Sequence, residues 1–256
     1  MVDADDLDFA VTIAREAGAL TRQWFDRAEL VVEHKGDGSP VTEADRVAED
    51  LLRTRIRDRF PNDAIVGEEH DDLPGTSGRT WVLDPIDGTK SFTHGVPLYA
   101  TLVAMVDADG PAVGVIDMPA LDETVWAGRG LGCHHNGDPT TVSARREIEG
   151  AWLMTSGLRV WAPGAIDRLV EAGLHLRTWA DAYGYLLVAT GRVDAMVDPV
   201  ANYWDLAAPA VIVSEAGGTF TDLTGAARAD TGSGVATAGG IHTELLALLT
   251  GCAATG

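Results

Sequence analysis

Cysteine is nearly missing from this chain. Its 256 residues include only Cys133 and Cys252, too few and too far apart for a disulfide framework or a compact Cys/His zinc site. Reduced thiols in a cytoplasmic protein are the expectation. Basic residues are scarce as well: 19 Lys and Arg stand against 39 Asp and Glu, a formal net charge of −20. That balance opposes nonspecific association with nucleic acid or anionic lipid, so neither a nucleic-acid nor a membrane partner is expected. No apolar run approaches membrane-spanning length, and the opening MVDADDLDFAV carries acids where a secretion signal would carry bases. Internal repeats, heptads and long disordered linkers are also lacking. What is present is a chain with 46% hydrophobic residues, long enough for one large domain or two intimately packed ones. An acidic protein that handles an anionic substrate needs a cation to mask its own field.

Apolar spacing predicts a helix from about Asp6 to Phe25, with Phe9, Ile13, Ala17, Leu20 and Trp24 as its buried stripe. After the break in VVEHKGDGSPVT, at Gly36, Gly38 and Pro40, a second helix is expected from Glu43, with Val47, Leu51, Leu52 and Ile56 facing inward and Asp45 in its first turn. AIVG and TWVL read as strands ending at acidic clusters. YATLVAMVD, AVGVIDM and ETVWAG read as successive strands. In the later half AWLMTSG and VDAMVD read as strands. AIDRLVEAG, YGYLLVATG, WDLAAPAVIVSEAGG and IHTELLALLTG read as helices, the third ending at Gly217-Gly218. A division is expected near Arg145, giving parts 1–145 and 146–256 packed as one catalytic unit.

The stretch with the most chemistry runs from Glu68 to Phe92: EEHDDLPGTSGRTWVLDPIDGTKSF. Asp, Pro and Gly are ordinary turn residues, so DPIDG reads first as a solvent-facing turn. It reads equally as a hard-cation site. The Pro85-Ile86-Asp87-Gly88 turn can fold the Asp84 and Asp87 carboxylates inward with the Ile86 carbonyl between them, and Glu68 can add a further oxygen.

GEEH at 67–70, LDPIDGTKSF at 83–92 and YWDLAAPAVIVSEAGG at 203–218 resemble the three signatures of the inositol monophosphatase superfamily. The resemblance implies a layered αβαβα fold, commonly a homodimer, and Mg²⁺-dependent hydrolysis of small phosphate monoesters. It implies metal ligation by Glu68, Asp84, the Ile86 carbonyl, Asp87 and Asp205. Asp45, in VTEAD, is implied to act with the Thr89 hydroxyl on the attacking water, with Glu68 also catalytic. Gly88 and Thr89 are implied to present backbone donors to the phosphoryl group. Taken alone, Asp45 and Asp205 read as acids that favour a helix N-terminus.

The superfamily includes phosphatases of inositol phosphate, histidinol phosphate, fructose bisphosphate and adenosine bisphosphate. DPIDGTKSFTHGVPLYATLVAM and DAYGYLLVATGRVDAMVDP look like the histidinol-phosphatase branch. The expected reaction is therefore L-histidinol phosphate plus water giving L-histidinol plus phosphate. An inositol monophosphatase, or a broad sugar phosphatase with fructose-1,6-bisphosphatase activity, is the alternative. Asp198 and Asp181 are the expected substrate-binding acids, Asp198 facing the ammonium group. Asp181 reads equally as a helix start, since ADAY departs from the family's GDxY. Lys35 reads as a phosphate contact or a solvated lysine, Trp204 as packing for Asp205, Lys90 as a mark of the branch, and His134-His135 as part of a loop or sheet edge.

Overall fold

A computed structural model describes residues 2–25, 31–36 and 40–250. Cys252 and Gly38 lie outside the described residues.

Asp3 caps helix α1 (Ala4–Thr21) by accepting from the Asp5 N–H. Strands β1 (Val32–His34) and β2 (Pro40–Thr42) form an antiparallel pair. Helix α2 (Glu43–Arg59) follows, with a capping box closed by Thr42 and Asp45. Then come β3 (Ala64–Gly67), β4 (Thr80–Asp87), the single turn α3 (Thr89–Thr93), β5 (Ala100–Asp107), β6 (Gly110–Met118), β7 (Glu123–Gly128), β8 (Gly132–His135) and β9 (Asp138–Pro139). Strands β3 to β9 make one sheet in sequence order. The second part holds β10 (Trp152–Met154), α4 (Ala165–Glu171), β11 (His175–Arg177), α5 (Asp181–Ala189), β12 (Ala195–Asp198), α6 (Tyr203–Glu215), β13 (Thr219–Thr221), β14 (Gly234–Thr237) and α7 (His242–Leu249). Its sheet has the order β11-β10-β12-β14-β13.

Alternation along the strands creates the layers, because successive side chains leave opposite faces of a sheet. Trp81, Leu83, Val103 and Val115 pack on α1 and α2, whereas Val82, Leu102, Ala104 and Ile116 pack on α5 and α6. In the second sheet Met196 and Ala236 meet the same central helices, while Leu153, Val197 and Val235 meet α4 and α7. The order is thus helix, sheet, helix, sheet, helix, the expected αβαβα arrangement. Arg145 falls between the two sheets, and the core around α5 and α6 draws on both of them.

Some local expectations change. Helix α1 ends at Thr21, so Trp24 lies beyond it, and the buried face is Leu7, Ala10, Ile13, Ala14, Ala17 and Thr21, with Phe9 and Leu20 only half-buried. Two helices of the same layer crowd this face, so small residues there lie deepest. TWVL does not stop at Asp84; the strand continues through Pro85 to Asp87. Strands β11, β13 and β14 are too short to show periodicity in sequence. His134 and His135 lie on β8, which β9 covers on its outer side. Cys133, buried beside them, has its thiol pushed up to about 12 by burial.

Candidate active site

The site begins as an irregularity in β4. Asp84 and Asp87 are three residues apart, and a regular strand would place them on opposite faces. Asp84 pairs with Leu102 and Asp87 with Ala100, so three steps on β4 match two on β5. This bulge restores the parity and turns both carboxylates to one side. Pro85 suits it, having no N–H to lose from the ladder, and its carbonyl accepts the Thr101 hydroxyl at 2.9 Å. The backbone then turns at Gly88 with φ 79°, a left-handed conformation open to glycine.

Helix N-termini converge on this strand end. Asp205, in the first turn of α6, accepts from the Asn202 N–H at 2.6 Å. Asp45, in the first turn of α2, takes both the Thr42 N–H and the Thr42 hydroxyl on Oδ2, at 2.8 and 2.6 Å. Its Oδ1 is buried without a hydrogen-bond partner. Asp181 opens α5, and the next N–H, of Ala182, donates to Asp87. Helix capping and carboxylate clustering therefore use the same side chains, and the positive helix ends favour anions here.

One oxygen each from Asp84, Asp87 and Asp205 lies within 4.8 Å of the others. Burial, and then the neighbouring acids, push the Asp84 and Asp87 carboxyls well above the usual range. Burial raises Asp205 to about 7 and Asp45 to about 6. Glu68 is one of the neighbouring acids that raise Asp84, and it also binds the Lys35 ammonium at 2.7 Å, as Glu69 does. Burial opposes the Lys35 charge, but these bonds outweigh it and raise the group to about 12. Asp84, Asp87 and Asp205 offer only carboxylate oxygen and crowd like charges in a largely buried place. That donor set fits a hard divalent cation.

Next to this cluster lies a cavity of 390 Å³ that Asp87, Asp181, Asp198 and Asp205 help to line. Asp198 accepts from the Ser156 hydroxyl at 2.7 Å and the Tyr185 hydroxyl at 3.0 Å. The Ser156 oxygen in turn accepts the Asp181 N–H at 3.1 Å. Burial raises Asp198 to about 7 and Asp181 to about 6. The Asp181 carboxylate lies over Gly88: a Cβ there would sit 3.1 Å from Asp181 Oδ2.

The inositol monophosphatase family model matches residues 3–253. The chain belongs to the inositol monophosphatase family. It is 44% identical to the histidinol-phosphatase of Chlorobaculum parvum, over 91% of this chain and 92% of that protein. With the histidinol-phosphatase of Mycobacterium tuberculosis the identity is 42%, over 96% and 98%. An IMPase structure from Thermotoga maritima superposes with a TM-score of 0.88 at 33% identity, covering 96% of this chain and 97% of that one.

In this family member the fold brings Glu68, Asp84, Asp87 and Asp205 together, with Asp181 and Asp198 along the adjoining wall. The expected Asp45–Thr89 hydrogen bond is not made. The Gly88 turn sets the Thr89 hydroxyl above its own strand, where it donates to the Ile86 carbonyl at 3.1 Å, and Asp45 pairs with Thr42 instead. Lys35 is held by Glu68 and Glu69. Trp204, the residue before Asp205, is half-buried against the central core. Sequence reasoning missed Ser156, which connects the two wall acids, and Tyr185, a second donor to Asp198. Their only signal was position: Ser156 lies two residues past the end of β10, and Tyr185 lies one helical turn after Asp181.

Proposed function

We propose that this protein is a Mg²⁺-dependent histidinol-phosphatase that hydrolyses L-histidinol phosphate to L-histidinol and phosphate in histidine biosynthesis. The observation that carries the reading is one cavity that borders the Asp84-Asp87-Asp205 cluster through Asp87 and Asp205 and continues along the Asp181-Ser156-Asp198 wall. Such a cavity suits an ester with a phosphate at one end and an ammonium group at the other. The names of the relatives that are 44% and 42% identical support the same substrate.

Asp84, Asp87 and Asp205, with the Ile86 carbonyl and Glu68, would hold Mg²⁺, which when bound supplies positive charge for the phosphoryl oxygens and acidifies water. The first turn of α3, from Gly88 and Thr89, has N–H groups outside the helical ladder that would donate to the phosphoryl group. Asp45 accepts the proton of the attacking water on its free Oδ1, and a group raised to about 6 by burial suits a base near neutral pH. As the new P–O bond forms, the ester P–O bond breaks and the alkoxide takes a proton from solvent. Thr89 contributes through its N–H, and its hydroxyl steadies the Ile86 carbonyl. The Asp181 and Asp198 carboxylates hold the ammonium group. A homodimer working in the cytoplasm completes the reading, and sedimentation equilibrium tests the assembly.

Phosphate release from L-histidinol phosphate, inositol monophosphate and fructose 1,6-bisphosphate, measured side by side, tests the substrate. The expected result is a kcat/KM at least about tenfold higher for histidinol phosphate, the value of roughly 1.4 kcal/mol from one partly shielded ion pair. Equal or greater turnover of either other ester overturns the reading. Asp198→Asn should narrow the preference, because it removes charge from the wall while keeping its shape.

A further inference from the structure

The cavity has a third kind of surface, which the acids do not explain. Leu158, Val160, Trp179 and Val200 are exposed by 53%, 37%, 43% and 61%, and all four line it. They follow the same chain segments as the acidic wall. Leu158 stands two residues beyond Ser156, Val200 two beyond Asp198, and Trp179 two before Asp181. Three segments thus build a polar wall and, one step further along each, an apolar rim.

Trp179 is held in place within that rim. Its φ of 61° is left-handed, as is the 43° of Asp181, a conformation rare for residues with side chains. Its ring meets the His94 ring edge-on at 6.3 Å. His94 is bonded through Nδ1 to the Lys90 carbonyl at 2.7 Å, so it is anchored to α3. The helix that begins at Gly88 and Thr89, where phosphate is expected, therefore ends at the residue that supports the indole. An exposed aromatic at a cavity mouth, with its ring edge-on to a neighbouring histidine, offers a flat apolar face to a ligand.

We propose that Trp179, with Leu158, Val160 and Val200, forms a collar that takes the flat heteroaromatic ring of the substrate, making Trp179 a specificity-determining residue. The inference rests on the histidinol-phosphatase reading and deepens it: the acids recognise the amine, and the collar recognises the ring. A polyol phosphate, with hydroxyls around its whole ring, gains less from such a rim, because polar groups covered without a partner lose hydration.

The test compares wild type with Trp179→Ala and Trp179→Phe. Substrates are L-histidinol phosphate, 2-aminobutyl phosphate, which has the amine and phosphate but no ring, and inositol monophosphate. In Trp179→Ala the ratio of kcat/KM for histidinol phosphate over 2-aminobutyl phosphate should fall about tenfold, mainly through KM, the scale of one lost stacking contact. Trp179→Phe should keep most of the ratio. L-histidinol binding by calorimetry should weaken about tenfold in Trp179→Ala.

An unchanged ratio together with unchanged L-histidinol affinity overturns the collar, even if wild type prefers histidinol phosphate. Equal losses on all three esters, or dissociation on size exclusion, would make Trp179 a structural or subunit contact and also overturn it. If wild type shows no preference for histidinol phosphate, the reaction assignment falls on that result. The L-histidinol calorimetry then decides the collar by itself.

Discussion

Asp84 illustrates how a single carboxylate supports the whole site. One oxygen accepts the Ile86 N–H at 3.0 Å and so holds the bulge, while the carboxyl faces Glu68, Asp87 and Asp205. Asp84→Asn keeps the size and one acceptor but removes the charge. The protein should remain folded by circular dichroism, bind Mg²⁺ more weakly by calorimetry, and lose roughly 100-fold or more in kcat/KM, since even outer partners of metal ligands are worth ~10–100-fold. His242 provides a pH prediction away from the site. It is buried between the Thr221 and Thr237 hydroxyls, at 3.1 and 3.0 Å, and burial lowers its pKa. A histidine with a folded pKa below its unfolded value contributes stability above the unfolded pKa, near ~6.5, that is lost as pH falls through the folded one. The melting-temperature difference between wild type and His242→Gln should therefore shrink between about pH 7 and pH 5. A difference independent of pH would show that His242 acts by packing alone.

Among the elements, α6 is constrained both by its site residue and by its packing. It delivers Asp205 while packing against both sheets, and it contains Pro209, buried within the helix. A proline there removes the N–H that would have bonded the Asp205 carbonyl. Its approach to β6 depends on Gly114, where a Cβ would lie 2.6 Å from both the Ala208 carbonyl oxygen and Val211 Cγ1. Gly114→Ala should force α6 away from β6, at a cost of about 1–3 kcal/mol in urea denaturation, the usual range for overpacking. Turnover should fall with it, because moving α6 moves Asp205. Full activity with unchanged stability would mean that α6 yields at this point without shifting its N-terminus.

At the scale of the whole molecule, charge dominates. A net charge of −20 repels itself, and Asp84, Asp87 and Asp205 add a close cluster of acids at the site. Two effects of Mg²⁺ can be separated. Ligand binding stabilises by RT ln(1 + [L]/Kd), ~2.7 kcal/mol at 100 Kd, and at this chain length that raises Tm by roughly 5–10 °C. Sodium chloride at matched ionic strength only screens surface charge and should give a much smaller rise. In Asp84→Asn the Mg²⁺ excess over sodium should largely vanish while the sodium effect remains. Equal shifts from the two salts in the wild type would show that no specific cation site contributes to stability.

The sequence by itself determined which acids the fold gathers around one cavity and most of the long elements. Glu68, Asp84, Asp87, Asp205, Asp181 and Asp198 were legible because each sits in a local motif. Helices such as α2 and α6 were legible because their apolar spacing and capping residues are local too. Only the tertiary structure decided how those residues meet. The parity of Asp84 and Asp87 depends on a bulge that exists only opposite β5. Ser156 gains its role from a loop 42 residues before Asp198, and Tyr185 from the helix that precedes the Asp198 strand. Thr89 turned to Ile86 and not to Asp45 because the Gly88 turn, set against Asp181 and the Leu98 carbonyl, decides where its hydroxyl points. The rim around Trp179 carried no sequence signal at all, since an exposed tryptophan acquires meaning only from the cavity it lines. Propensity and capping act over a few neighbouring residues, whereas register, bulges and cavity walls arise from contacts between segments that the chain brings together only on folding.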